Sequence, residues 1–232
     1  MTPSQRLAIS STPPGEPISE HGHANKSRLV LVRHGQTEWS LNGRHTSVTD
    51  LPLTAAGEQE AVAIKDLLNG HPFGLVMSSP RERAIRTAQL AGYGDQVVID
   101  EDLAEFDYGA YEGLTTPQII EQRGLGWNLW RNGVPAGATP GESAADVQKR
   151  AKRVIARALE VMWQGNDVIA FAHGHFLRAV AAAWLGLRPV DAQAFQLSTA
   201  TVSVLGFEHA QPVVVRWNTP PGVFRLPSPE AP

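Results

Sequence analysis

The chain has 232 residues, 42% of them hydrophobic and 19% charged, a globular composition that excludes wholesale disorder. Lys and Arg number 20 and Asp and Glu 23, leaving a net charge of −3, which gives no basic footprint for nucleic acid or an anionic membrane surface. Cysteine is absent, so disulfides, thiol nucleophiles and thiolate metal sites are excluded, and a reducing cytoplasm is the expected location.

The first 27 residues read as a disordered tail, with Pro3, Pro13, Pro14 and Pro17 among Ser, Thr, Gly and Glu. Leu7-Ala8-Ile9 falls short of the at least about seven apolar residues of a secretory signal. Leu29–Val32 reads as a buried strand. A helix is expected from about Thr54, with Ala61, Ile64 and Leu68 on one face. Leu75–Met77 is a second strand. Ser79-Pro80-Arg81-Glu82 then matches a capping box with proline at the first helical position. Val97–Ile99 is a third strand, and Thr115–Gln122 a short helix. Apolar residues three or four apart, Val147, Ala151, Val154, Ala158 and Val161, predict a long helix within Gly141–Gln164. Asp167–Ala172 is a fourth strand, followed by an Ala-rich helix to about Trp184. Thr201–Phe207 and Val213–Trp217 are late strands, expected to form an antiparallel edge hairpin through which a homodimer can pair. Residues 219–232 carry five prolines and read as an irregular tail, leaving 28–218 as the folded domain. Strands alternating with helices predict a three-layer α/β/α sandwich with a mostly parallel sheet. No run approaches the roughly 18–20 apolar residues that span a bilayer.

Two strands end alike, Leu29–Val32 in Arg33-His34-Gly35 and Asp167–Ala172 in His173-Gly174. Ligands in open α/β sheets sit outside the carboxyl ends of strands, so neighbouring strands would bring both histidines to one crevice. Arg83 falls in the first turns of a helix after a strand, where anions are attracted and a guanidinium fork suits phosphate. The loop Leu103–Gly113 carries three carboxylates, Glu105, Asp107 and Glu112, and its spacing does not choose among them. His173-Gly174-His175 has spacing that can suit zinc on a strand, but no cluster of carboxylates or cysteines accompanies it, and no metal or other cofactor is expected. His175 is expected to play a supporting part.

Four segments in order resemble the histidine phosphatase superfamily, the phosphoglycerate-mutase-like fold. They are Leu31–Trp39 with Thr49–Glu58, Ser78–Ala84, the Glu105 loop, and Ala172–His175. The resemblance implies that His34 is the nucleophile, that Arg33, Arg83 and His173 hold the phosphate with it, and that Glu105 is the proton donor. Ser40 stands where many members carry Asn, which weakens its assignment to the phosphate. Thr46 and Ser47 fall where members often contact substrate, with Tyr108 and Gly174 as weaker candidates. A protonated His173 and two arginines would then supply the positive charge that a metal supplies elsewhere.

Mutases of the family carry an Asn-x-Phe-Thr/Ser-Gly-Trp stretch. Gly43–Val48 lacks its closing Gly and Trp, which favours a phosphatase over a phosphoglycerate mutase. A non-catalytic phospho-ligand or protein-binding module needs no proton donor, so Glu105 counts against it. The expected partner is a small phosphorylated metabolite. Arg123–Thr139, with Trp127, Trp130 and Arg131, reads as a lid over that substrate or as aromatic residues packed on the core.

Overall fold

A computed structural model describes residues 26–226. All but the last two residues of the expected N-terminal tail, and residues 227–232 of the C-terminal one, lie outside that range. The elements are β1 (Leu29–Arg33), α1 (Glu38–Asn42), α2 (Ala55–Leu68), β2 (Leu75–Ser78), α3 (Glu82–Leu90), β3 (Val97–Ile99), α4 (Thr116–Arg123), α5 (Leu129–Asn132), α6 (Ala144–Met162), β4 (Val168–Ala172), α7 (Gly174–Trp184), β5 (Val202–Glu208) and β6 (Gln211–Thr219), with 3₁₀ turns between.

The strands form one sheet in the order β3-β2-β4-β1-β5-β6. The pairs β3-β2, β2-β4 and β4-β1 are parallel, and β5 and β6 add antiparallel. Every residue of β4 and nearly all of β1 is buried, as expected of strands covered on both faces. Alternation along the strands separates two cores. Leu29, Leu31, Val168, Ala170 and Ala172 face the layer built by α6 and α7. Val30, Val32, Ile169 and Phe171 face α2 and α3. The architecture is therefore an α/β/α sandwich with a mostly parallel sheet.

The parallel centre aligns three strand ends. Arg33 pairs with Ala172 in register. The His34 N–H donates to the Ala172 carbonyl at 3.0 Å, and the Ser79 N–H to the Phe171 carbonyl at 2.9 Å. His34, Ser79 and His173 thus leave neighbouring strands at one level.

Two expectations change here. The capping box at Ser79 does not form: α3 begins at Glu82, the side chain of its N-cap Arg81 makes no cap, and the Glu82 N–H donates to the Asp50 carboxylate at 3.0 Å. The Ser79 hydroxyl is turned to His173 instead, 2.7 Å from Nε2. At the other end, β6 runs to Thr219 and the chain stays packed to Leu226. That side chain is buried against the α2–α3 layer, and its N–H donates to the Leu67 carbonyl at 2.8 Å.

Candidate active site

The site grows from the turn after β1. His34 is buried, and its Nδ1 lies 2.7 Å from the Gly35 carbonyl. A carbonyl only accepts, so Nδ1 carries the proton and Nε2 keeps its lone pair. The turn fits because glycines meet across it: a Cβ on Gly35 would sit 2.3 Å from the Gly57 carbonyl oxygen, and one on Gly57 2.1 Å from that of Gln36. The N-terminus of α2 therefore rests on the backbone beside the nucleophile. Burial first, then Arg83 and Arg33, push the His34 pKa well below its ordinary value and keep the ring neutral.

Arg83 and His173 are fully buried and lie beneath His34, whose ring centroid is 5.2 Å from that of His173. Arg83 Nε donates to His173 Nδ1 at 3.3 Å, so His173 accepts there and carries its proton on Nε2 toward Ser79. Burial, with Arg83 next, drives the His173 pKa well down. Burial therefore favours a neutral His173, where the sequence predicts a charged ring. The rest of the Arg83 fork is held by backbone carbonyls: Nη1 donates to Thr49 at 3.1 Å, and Nη2 to Thr46 at 3.3 Å and Ser47 at 3.2 Å.

That carbonyl loop is itself clasped by Glu112. Its carboxylate accepts the Ser47 and Thr49 N–H groups, both at 3.0 Å on Oε1, and the Ser47 hydroxyl at 2.7 Å on Oε2. Ser47, expected to touch substrate, is buried behind the cavity wall in this clasp.

Glu105 has a different partner, the N-terminus of α7. Oε1 accepts the Phe176 N–H at 2.8 Å and the Phe106 N–H at 2.9 Å, and Oε2 accepts the His175 N–H at 3.1 Å. The first N–H groups of a helix have no partner of their own and favour a carboxylate. This contact ties the loop to the helix whose N-cap is His173. Asp107, the third carboxylate, holds its own loop by accepting the Gly109 N–H at 2.9 Å, the Gly141 N–H at 3.0 Å and the Thr139 hydroxyl.

An open cavity of about 190 Å³ lies over His34, lined also by Arg33, Ser40, Thr46, Glu105, Tyr108 and Gly174. Arg33 Nη1 donates to the Leu197 carbonyl at 2.6 Å. Gly174 makes room for this side chain, since a Cβ there would sit 3.2 Å from the Arg33 guanidinium carbon. Ser40 lines the cavity and also caps α1, exchanging hydrogen bonds with Thr37.

The same cavity is lined by His45, His175 and Arg178, which the sequence did not assign to substrate. His175 pairs through Nδ1 with the Tyr108 hydroxyl at 2.5 Å, so it and His173, which faces Ser79, have different partners. Arg178 lies four residues beyond Gly174, one helical turn along α7, a spacing that marks it as a candidate once Gly174 is placed. The expected lid is partly core: Trp130 is buried and packs edge-on to Phe106 and His175, and Trp127 packs edge-on to Tyr111.

Residues 29–220 match the model of the histidine phosphatase superfamily (branch 1), and the chain belongs to that family. It is 45% identical over 184 residues to an acid phosphatase of Mycobacterium tuberculosis, an alignment covering 78% of this chain and 87% of that one. It is 39% identical over 188 residues to the sedoheptulose 1,7-bisphosphatase of Saccharomyces cerevisiae, covering 69% and 68%. A solved open-reading-frame product of M. tuberculosis superposes with a TM-score of 0.78 at 41% identity, over 84% of this chain and 98% of that one. The protein is a hydrolase of the histidine phosphatase type, acting on phosphorylated substrates. Among the described residues no helix is long and apolar enough to cross a membrane.

Proposed function

We propose that this protein is a metal-independent phosphomonoesterase of small phosphorylated metabolites, working in the cytoplasm through a phosphohistidine at His34. The observation that carries this reading is the His34 tautomer. With Nδ1–H given to Gly35, Nε2 is the nucleophile. It attacks phosphorus as the bond to the ester oxygen breaks, and Glu105 gives that oxygen a proton. Water then attacks the phosphohistidine, Glu105 takes its proton, and inorganic phosphate leaves with Nε2 free again. Arg33 and Arg83 supply positive charge to the transferred group. Among the described residues no three His, Asp or Glu side chains form a metal-ligand set, and the arginines fill the electrostatic part that a metal would fill. Rapid quenching with phosphorus-labelled substrate should trap label on the protein that survives base and is lost in acid. His34→Ala should trap none; label retained by that variant would remove the assignment. Treatment with a chelator should leave the rate unchanged.

A further inference from the structure

Several arginines of this fold are paired with carboxylates: Arg28 with Asp167, Arg150 with Glu142, and Arg153 and Arg157 with Asp102. Three others converge on the cavity. Arg33, Arg44 and Arg178 all line it, and none forms a salt bridge among the described residues. Its lining holds one carboxylate, Glu105, whose two oxygens already accept three backbone N–H groups. Transfer of a single phosphoryl group accounts for Arg33 and for Arg83 beneath it. Arg44 and Arg178 are left over.

Arg178 is also held in place. Nε donates to the Ala192 carbonyl and Nη2 to the Gln193 carbonyl, each at 3.2 Å. Its guanidinium carbon lies 5.2 Å from the centre of the Trp130 ring. Nη1 has no hydrogen-bond partner among the described residues. A half-buried guanidinium fixed by carbonyls and an aromatic face, with a donor to spare, is pre-organised for an anion. Arg44 follows α1 and lies over Trp39 at 5.8 Å. A neutral alcohol leaving group offers these two cations hydroxyl acceptors but no charge to neutralise.

We infer that Arg178, with Arg44, forms a second anion subsite in the cavity, so that the preferred substrates carry a second acidic group, a phosphate or a carboxylate, on the alcohol that leaves. This rests on the reading of His34 and its neighbours as a phosphomonoesterase. Two further cations without carboxylate partners on the cavity wall also raise the local concentration of a doubly anionic ester, and that preference weakens with added salt.

The test compares kcat/KM for matched substrates. Fructose 1,6-bisphosphate against both fructose 6-phosphate and fructose 1-phosphate isolates an added phosphate whichever ester is cleaved, and 3-phosphoglycerate against glycerol 3-phosphate an added carboxylate. The doubly anionic member of at least one pair should be preferred by about tenfold or more, the scale of one charge-assisted contact. The pair that shows the preference identifies the anion. Arg178→Met should bring that ratio toward one, mainly through KM, with Arg178→Lys restoring part of it. Arg44→Gln, at an exposed side chain, gives the same readout if Arg178→Met does not fold. No preference in either pair, or equal losses on both members in the variants, overturns the subsite. Wild-type protein that fails even to hydrolyse p-nitrophenyl phosphate overturns the phosphomonoesterase reading and the subsite with it. Turnover of that ester without any preference overturns the subsite alone.

Discussion

His34 and the three loop carboxylates each hold a different part of the site and answer to different tests. Burial and two arginines hold His34 neutral, so its Cε1–H resonance, assigned by loss in His34→Ala, should not titrate as pH falls through the ordinary histidine value of about 6.5. A midpoint near that value would show that the ring is not held as described. The carboxylates divide by what they hold: Glu105 the start of α7, Asp107 its own loop, and Glu112 the carbonyls that carry Arg83. If Glu105 delivers the proton, its importance depends on the leaving group. An alkyl phosphate releases a strongly basic alkoxide, and Glu105→Gln should slow it by about 10²–10⁴, the general-acid range. Nitrophenolate is a stable anion, so p-nitrophenyl phosphate should be slowed far less where chemistry limits both rates. Glu112→Gln loosens the Ser47–Thr49 loop and with it Arg83, which acts on the phosphoryl group whatever leaves. Its loss should be equal on both substrates. Equal losses for Glu105→Gln would make it a positioning residue.

At the element scale, the close approach of the β1 turn to α2 reverses a common helix rule. Gly→Ala at an exposed helical position adds about 1 kcal/mol of stability. At Gly57 the new Cβ would lie 2.1 Å from the Gln36 carbonyl oxygen, and such overpacking costs about 1–3 kcal/mol. Gly57→Ala should therefore lower the melting temperature, and it should reduce turnover because the displaced backbone adjoins His34. A melting temperature above the parent's would show that α2 can shift away freely. The elements that sequence revealed are those whose side chains carry a strong period. Strands β1 and β4 are near-continuous apolar runs because both faces are covered, and α6 shows its buried stripe through Val147, Ala151, Val154 and Ala158. Helix α1 buries no residue, so it has no apolar stripe to read. Ser79 misled because its hydroxyl has two possible employments, and the bond to His173 prevails over a cap. The strand-end histidines were legible from their His-Gly pairs. The choice of Glu105 needed the family resemblance, because its partner, the N-terminus of α7, lies 70 residues away along the chain.

At the scale of the whole molecule, the site makes the fold sensitive to acid. Burial keeps the pKa of His34, His173 and His175 well below the ordinary value, and lowers that of His45. In the unfolded chain each would titrate near about 6.5. Below that pH the unfolded state takes up protons that the native state refuses, so stability is fully present above about 6.5 and falls as pH drops toward the lower native values. Each histidine contributes at most about 1.4 kcal/mol per pH unit in that window, against a total stability of about 5–15 kcal/mol for a typical domain. The acidic ion pairs act elsewhere on the scale. Arg153 hydrogen bonding, opposed by burial and aided by Arg157, brings Asp102 down to about 2 from 3.8, so its contribution is lost only as pH falls below about 4. The melting temperature should therefore decline between pH 7 and pH 5, and calorimetric unfolding at pH 5.5 should take up protons. A flat melting temperature down to pH 4.5 would show that these histidines are solvated. The kinetics should meet the same limit. We expect kcat/KM to be bell-shaped with its optimum on the acid side of neutral, because His34 stays a neutral nucleophile there while the donor must be protonated. Substrate bound to the native state offsets part of the acid penalty by mass action, so the acid limb should move to lower pH when activity is assayed after preincubation with inorganic phosphate. If that limb does not move, it reports titration of a catalytic group and not loss of the fold.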